Sequence, residues 1–148
     1  MDDKNAVDVV EKLIETCKDG QNGYKDAADH VKRPDLKTYF QQQSTERGAF
    51  ANELQTELGK LGKPEKKESG SISAAAHRAW IDTKAALGAG DKSILESVEQ
   101  GEDNAKENYE KAIGASLPSN VAEIVRRQAA SVRSAHDKVR NLRDSIAA

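Results

Sequence analysis

Four long apolar seams in this chain are each interrupted by ionisable or amide side chains. The first carries Asp19, followed by Gly20; the second carries Gln43, Glu46 and Arg47. The third carries Glu99, Glu102 and Asp103, and the fourth carries Gln128, Arg133 and His136. Carboxylate oxygens and an imidazole suit a divalent cation such as Fe, Mn or Zn, without selecting among them. The same carboxylates beside guanidinium groups would instead neutralise one another in a salt-bridge layer. An isolated buried charge is strongly disfavoured, so groups at such positions must pair or bind something.

The elements that position these groups are legible from spacing. Ala6, Val10, Leu13, Cys17, Gly20, Tyr24, Ala27 and Val31 alternate steps of four and three, which predicts a helix over about 4–32. Lys32-Arg33-Pro34 ends it, because the residue before proline is driven from the α region. Pro34 suits the first turn of a second helix, over about 34–61, with Leu36, Phe40, Phe50 and Leu54 inward. Residues 63–71 (KPEKKESGS) read as a solvated linker before a shorter helix over about 72–87, which Gly88-Ala89-Gly90 stops. Asp91 is a ready N-cap for a helix over about 91–115. After the break at Leu117-Pro118, Asn120 and Glu123 have capping-box spacing for a last helix over about 119–146.

No β pattern is present. The chain reads as all-α, one domain over 1–148, built from two helical hairpins. Folding each hairpin about its turn sets Gly20 opposite Arg47, Glu99 level with Ala135, and His136 level with Val98. The polar groups then share one depth. The link between hairpins, about 28 residues, far exceeds the ~2–8 usual in bundles. Such a crossover, here with its own short helix, belongs to the ferritin-like arrangement rather than simple up-down-up-down.

Two readings of the polar depth follow. In one, carboxylates from Glu15 or Asp19, with Glu46 and Glu102, join His136 around a single ion. In the other, Arg47, Glu99, Gln128 and Arg133 belong to a metal-free structural layer that fixes helix register. The paired Glu-x-x-His motif of di-iron bundles is missing, because Ala27, Ala74 and Arg133 precede His30, His77 and His136 at that spacing. A two-ion centre is therefore not expected.

Other residues read more plainly. Cys17 lies on the first apolar seam as a small buried hydrophobe. His30 falls in a charged last turn, facing solvent. His77 and Trp80 share one side of the crossover helix and would dock it into the groove between hairpins. Lys and Arg total 23 against 25 Asp and Glu, a net charge of −2, and aromatics are 4%. Neither nucleic acid nor an anionic membrane is expected as a partner. One cysteine excludes an intrachain disulfide. No apolar run approaches ~18 residues, and Met1-Asp2-Asp3-Lys4 has no basic and apolar leader, so a cytoplasmic location is expected. Phosphate loops, nucleophile elbows and zinc-finger spacings are absent. Any enzymatic reading therefore rests on the polar depth alone, and no catalytic residue is assigned.

Four blocks occur in order: ETCKDGQNGY (15–24), HRAW (77–80), EQGEDNAKENYEKAI (99–113) and SAHDKVRNLRD (134–144). Together they resemble a bacterial family of small ferritin-like four-helix-bundle proteins of unassigned function, over about Lys4 to Arg143. The resemblance implies a ferritin-like fold and a bacterial origin; the wider ferritin-like group implies a divalent metal and stress handling, and with the paired motif missing the expected site is a reduced, mononuclear one. Glu15, Glu46, Glu102 and His136 are spaced much as ferritin-like proteins space their ligands. It also admits a homodimer, since such proteins often pair. The alternative is a metal-free structural or protein-interaction bundle with an internal salt-bridge layer.

Overall fold

A computed structural model describes residues 2–62 and 90–146, with side chains from Asn5 onward. Among the described residues there are four helices: α1 (Asp2–His30), α2 (Pro34–Lys60), α3 (Asp91–Ile113) and α4 (Ser119–Ser145). Their bounds follow the periodic segments closely, because each ends where the backbone is forced to turn. Pro34 opens α2 at a position that lacks an intrahelical N–H partner anyway. Gly90 precedes α3 with φ of 97°, a left-handed conformation that glycine adopts without a Cβ clash. The predicted helix over 72–87, with His77 and Trp80, lies outside the described residues.

Helix α1 packs on α2 and α3, and α4 packs on α3 and α2. Polar contacts at the two ends give the directions. Near the start of α1, Asn5 Nδ2 donates to the Ser116 carbonyl beyond the end of α3 (3.3 Å). At the other end, the Lys32 and Arg33 backbone N–H groups donate to the Asp91 carboxylate at 2.8 and 3.0 Å. Asn120 Nδ2 at the start of α4 donates to Glu57 Oε1 near the end of α2 (2.8 Å). Helix α3 is thus antiparallel to α1, and α4 to α2. It follows that α2 and α3 run parallel, so residues 62 and 90 lie at opposite ends of an all-α four-helix bundle.

Two expected caps work differently. Asp91 does not cap α3; its carboxylate takes the orphan N–H groups of the α1–α2 turn and ties that turn to the second hairpin. Asn120 forms no capping box, because α4 begins at Ser119 and the Asn120 amide reaches Glu57 instead.

The apolar interior falls into two parts. One gathers Val10, Leu13, Ile14, Leu54, Leu58, Ala105, Tyr109, Val121, Val125 and Val132. The other gathers Tyr24, Ala27, Leu36, Phe40, Ile94, Leu95, Val98 and Val139. Each fully buried aliphatic side chain contributes ~1.5–3 kcal/mol relative to exposure. Between the two parts all four helices turn polar at one height, where Asp19, Arg47, Glu102 and His136 are buried. These groups form a polar belt. Among the described residues no helix is long and apolar enough to cross a membrane.

Candidate functional site

The centre of the belt is an ion pair. Arg47 Nη2 on α2 and the Tyr24 hydroxyl on α1 both donate to Glu102 Oε2 on α3, each at 2.5 Å. Both charged side chains are essentially inaccessible, at 1% and 0% exposure. Gly20 is what admits the guanidinium: a Cβ there would stand 2.9 Å from Arg47 Nη1 and 3.4 Å from Cγ. The Arg47 guanidinium also lies over the Tyr24 ring, 5.4 Å from its centroid, a favourable cation–π placement. Burial is the largest influence and opposes the Arg47 charge, but the Glu102 carboxylate and the neighbouring Tyr24 and Cys17 together hold the guanidinium above its ordinary range. For Tyr24, burial and then the adjacent Glu102 charge push the phenol well up. Charge-assisted bonds of this kind are about twice as strong as neutral ones. They hold Glu102 as a counter-ion.

A second network leads outward from α1. The Tyr109 hydroxyl donates to Gln128 Oε1 (2.7 Å), so the Cys17 thiol, 3.0 Å away, donates to the Tyr109 oxygen. Gln128 Nε2 donates to Glu53 Oε1 (2.8 Å), and Glu53 is ion-paired with Arg127 at the surface. Burial, only partly opposed by the Tyr109 hydrogen bond, pushes the Cys17 thiol up to about 11. Burial likewise pushes the Tyr109 phenol well up. A thiol held protonated in an apolar wall is inert.

The third group lies on the α3–α4 seam. His136 is buried, with Nε2 2.6 Å from Asp103 Oδ1 and Nδ1 3.1 Å from Asp137 Oδ1. Glu99, one turn before Asp103, is ion-paired with Arg143. Ligand atoms of Glu99, Asp103 and His136 all lie within 4.8 Å of one another. The hydrogen bond from His136, against a small burial penalty and helped by Arg140, lowers the Asp137 carboxyl from its ordinary value. A neutral imidazole has one N–H to give, yet here two acceptor-only carboxylates face its two nitrogens.

The ligand set expected from sequence is not gathered at one point. Glu102 is bound by Arg47 and Tyr24, whereas His136 joins Glu99 and Asp103. Glu15 is half-buried and Asp19 buried on α1, and Glu46 is half-buried on α2; none of them belongs to the close donor group. Of the expected layer residues, Arg47 and Gln128 are buried and bonded as the layer requires. Glu99 leans to the seam instead. Arg133 is exposed and meets only Glu110, at 3.9 Å, because its position on α4 points to solvent. His136 meets Asp103 rather than standing level with Val98, since the α3–α4 connection is broader than a single pivot. His30 is exposed and Cys17 buried, as expected. Two signals were available for the overlooked cluster: Glu99 and Asp103 are spaced i, i+4 on one helix face, and Asp137 directly follows His136.

Fold and site define an all-α four-helix bundle with an ion-paired centre and an acidic imidazole cluster on one seam. The chain belongs to the family described as a domain of unknown function, DUF2383, whose model matches residues 5–115. Arg47, Glu102 and Tyr24 lie within the matched stretch, and His136 lies beyond it. No curated protein matches the sequence.

Proposed function

We propose that this domain is a ferritin-like bundle holding one divalent cation (Fe, Mn or Zn) at Glu99, Asp103 and His136, outside its ion-paired centre. The observation that carries the reading is the convergence of two carboxylates and an imidazole within 4.8 Å. One ion at ~2.0–2.2 Å from each donor keeps donors within about 4.2 Å of one another. To admit the ion, the 2.6 Å contact between His136 Nε2 and Asp103 would open and the wider separations would close. Asp137 at Nδ1 is the outer carboxylate that orients a metal-bound histidine and fixes its tautomer. A cation between Nε2 and Asp103 would also satisfy the acceptor that a neutral ring leaves unanswered. The parallel course of α2 and α3 supports the ferritin-like topology, which has one long crossover. The likeness of four sequence blocks to a bacterial family extends the proposal to a cytoplasmic, stress-associated role.

The Glu99–Arg143 ion pair favours a second reading, a metal-free interaction bundle in which Arg143 keeps the Glu99 carboxylate. Metal analysis of untagged protein, followed by Mn(II) and Zn(II) calorimetry, separates the two. The first reading expects about one equivalent per chain, loss in His136→Ala, and tighter binding in Arg143→Ala, which frees a ligand. Negligible metal in all three proteins would leave the second reading standing.

A further inference from the structure

A groove of about 370 Å³ runs between α3 and α4, with Ile113, Ala129 and Ala130 among its apolar lining and Lys106, Arg126 and Arg133 on its rim. Ile113 is 48% exposed, the one large hydrophobic side chain so exposed among the described residues. Single exposed apolar residues are ordinary; an apolar strip framed by cations is not. Glu110, the one carboxylate lining the groove among the described residues, approaches Arg133 no closer than 3.9 Å, and Lys106 also acts on Asp137 beyond the groove. This local excess of positive charge stands on a chain whose net charge is −2.

Shape narrows the partner further. Ala129 and Ala130 present almost no side chain, so another helix can approach α4 closely. Arg126 and Arg133 are seven residues apart, two helical turns or ~10 Å along α4. Carboxylates seven apart on an incoming helix have the same spacing. Phosphates would gain the cations but would lie over an aliphatic strip with no exposed aromatic for stacking. We infer that the α3–α4 groove is a docking site for an acidic amphipathic helix of a partner protein, with an apolar stripe on Ile113 and carboxylates against Lys106, Arg126 and Arg133. This inference goes beyond the cation reading and is independent of it.

Fluorescence anisotropy of the full chain tests it with three labelled probes. One is a designed helical peptide with leucines on one stripe and glutamates elsewhere. The second has lysine for every glutamate, and the third is an oligo-U RNA. The acidic peptide is expected to bind, with affinity reduced at least ~10-fold in Arg126→Glu/Arg133→Glu and in Ile113→Asp, and unchanged in Arg33→Ala. Circular dichroism melts of each variant check that the fold persists. The proposal fails if the acidic peptide does not bind, if the lysine peptide binds as well, or if only the RNA binds. It also fails if sedimentation shows a dimer that the groove variants dissociate, since the occupant is then a second copy. The metal analysis above decides the bundle reading separately, so loss of the groove and loss of that reading are distinguishable.

Discussion

Glu102 and Asp103 are neighbours in sequence and occupy opposite electrostatic settings. Glu102 is fully buried between the hairpins and fastened to Arg47 and Tyr24, while Asp103 is 62% exposed on the α3–α4 seam beside His136. One residue of helical rotation, ~100°, separates them. At the centre, a carboxylate can persist only with a cation provided by the fold itself. On the seam, water shares the charge, and the carboxylate stays free to exchange its partner. The polar belt therefore has a fixed structural centre and an adaptable edge.

The strongest way to break that contrast is to remove one member of the central pair. Glu102→Leu or Arg47→Met leaves the other charge buried and unanswered, and is expected to cost ~3–5 kcal/mol in urea unfolding. The double variant replaces the pair by apolar groups and should recover most of the loss. Asp103→Asn, by comparison, should change stability by no more than ~1 kcal/mol. Equal losses for Glu102→Leu and Asp103→Asn would abolish the distinction between centre and edge.

A smaller effect is expected from Gly20→Ala. The added methyl meets Arg47 Nη1 at 2.9 Å, and displacing the guanidinium should cost ~1–3 kcal/mol. That would outweigh the ~1 kcal/mol that alanine ordinarily gains over glycine in a helix. A thermal melt showing Gly20→Ala stabilised would mean that Arg47 can yield without penalty.

Alkaline titration sharpens the comparison. All three tyrosines, Tyr24, Tyr39 and Tyr109, are pushed up, in each case by burial first. Unfolded tyrosine ionises near ~10. Because the folded values lie higher, their contribution to stability is whole below about pH 10 and drains away as pH rises above it. Near-ultraviolet tyrosinate absorbance should therefore appear together with loss of helical circular dichroism. Tyrosinate formed near pH 10 with the helices intact would contradict the burial of these rings. The mildest test concerns Cys17, whose thiol is pushed up to about 11. Iodoacetamide at neutral pH should modify it only after denaturant is added.

Much of the bundle could be read before its coordinates. Steps of three and four located α1 to α4, because an inward stripe must recur with the helical period. Gly20 opposite Arg47 was also legible, since a three-residue turn leaves little freedom in hairpin register. Partnership within the belt was not. Deciding that Glu102 faces Arg47 while Asp103 faces His136 needs the rotation of α3 to within a fraction of a turn. The height of His136 depended on the path of residues 114–118, which spacing does not specify. Arg133 looked inward on a helix whose basic residues are spread around its circumference. His77 and Trp80 fall outside the described residues.

The division of the central pair between hairpins bears on how the molecule comes apart. Arg47 and Tyr24 come from the first half of the chain and Glu102 from the second. A state in which the halves touch but are out of register would be dry enough to strand each ion and too displaced to join them. Such near-misses are disfavoured relative to both the assembled bundle and the open chain. Disassembly is accordingly expected to run as one cooperative event, with no long-lived slipped dimer of hairpins along the way.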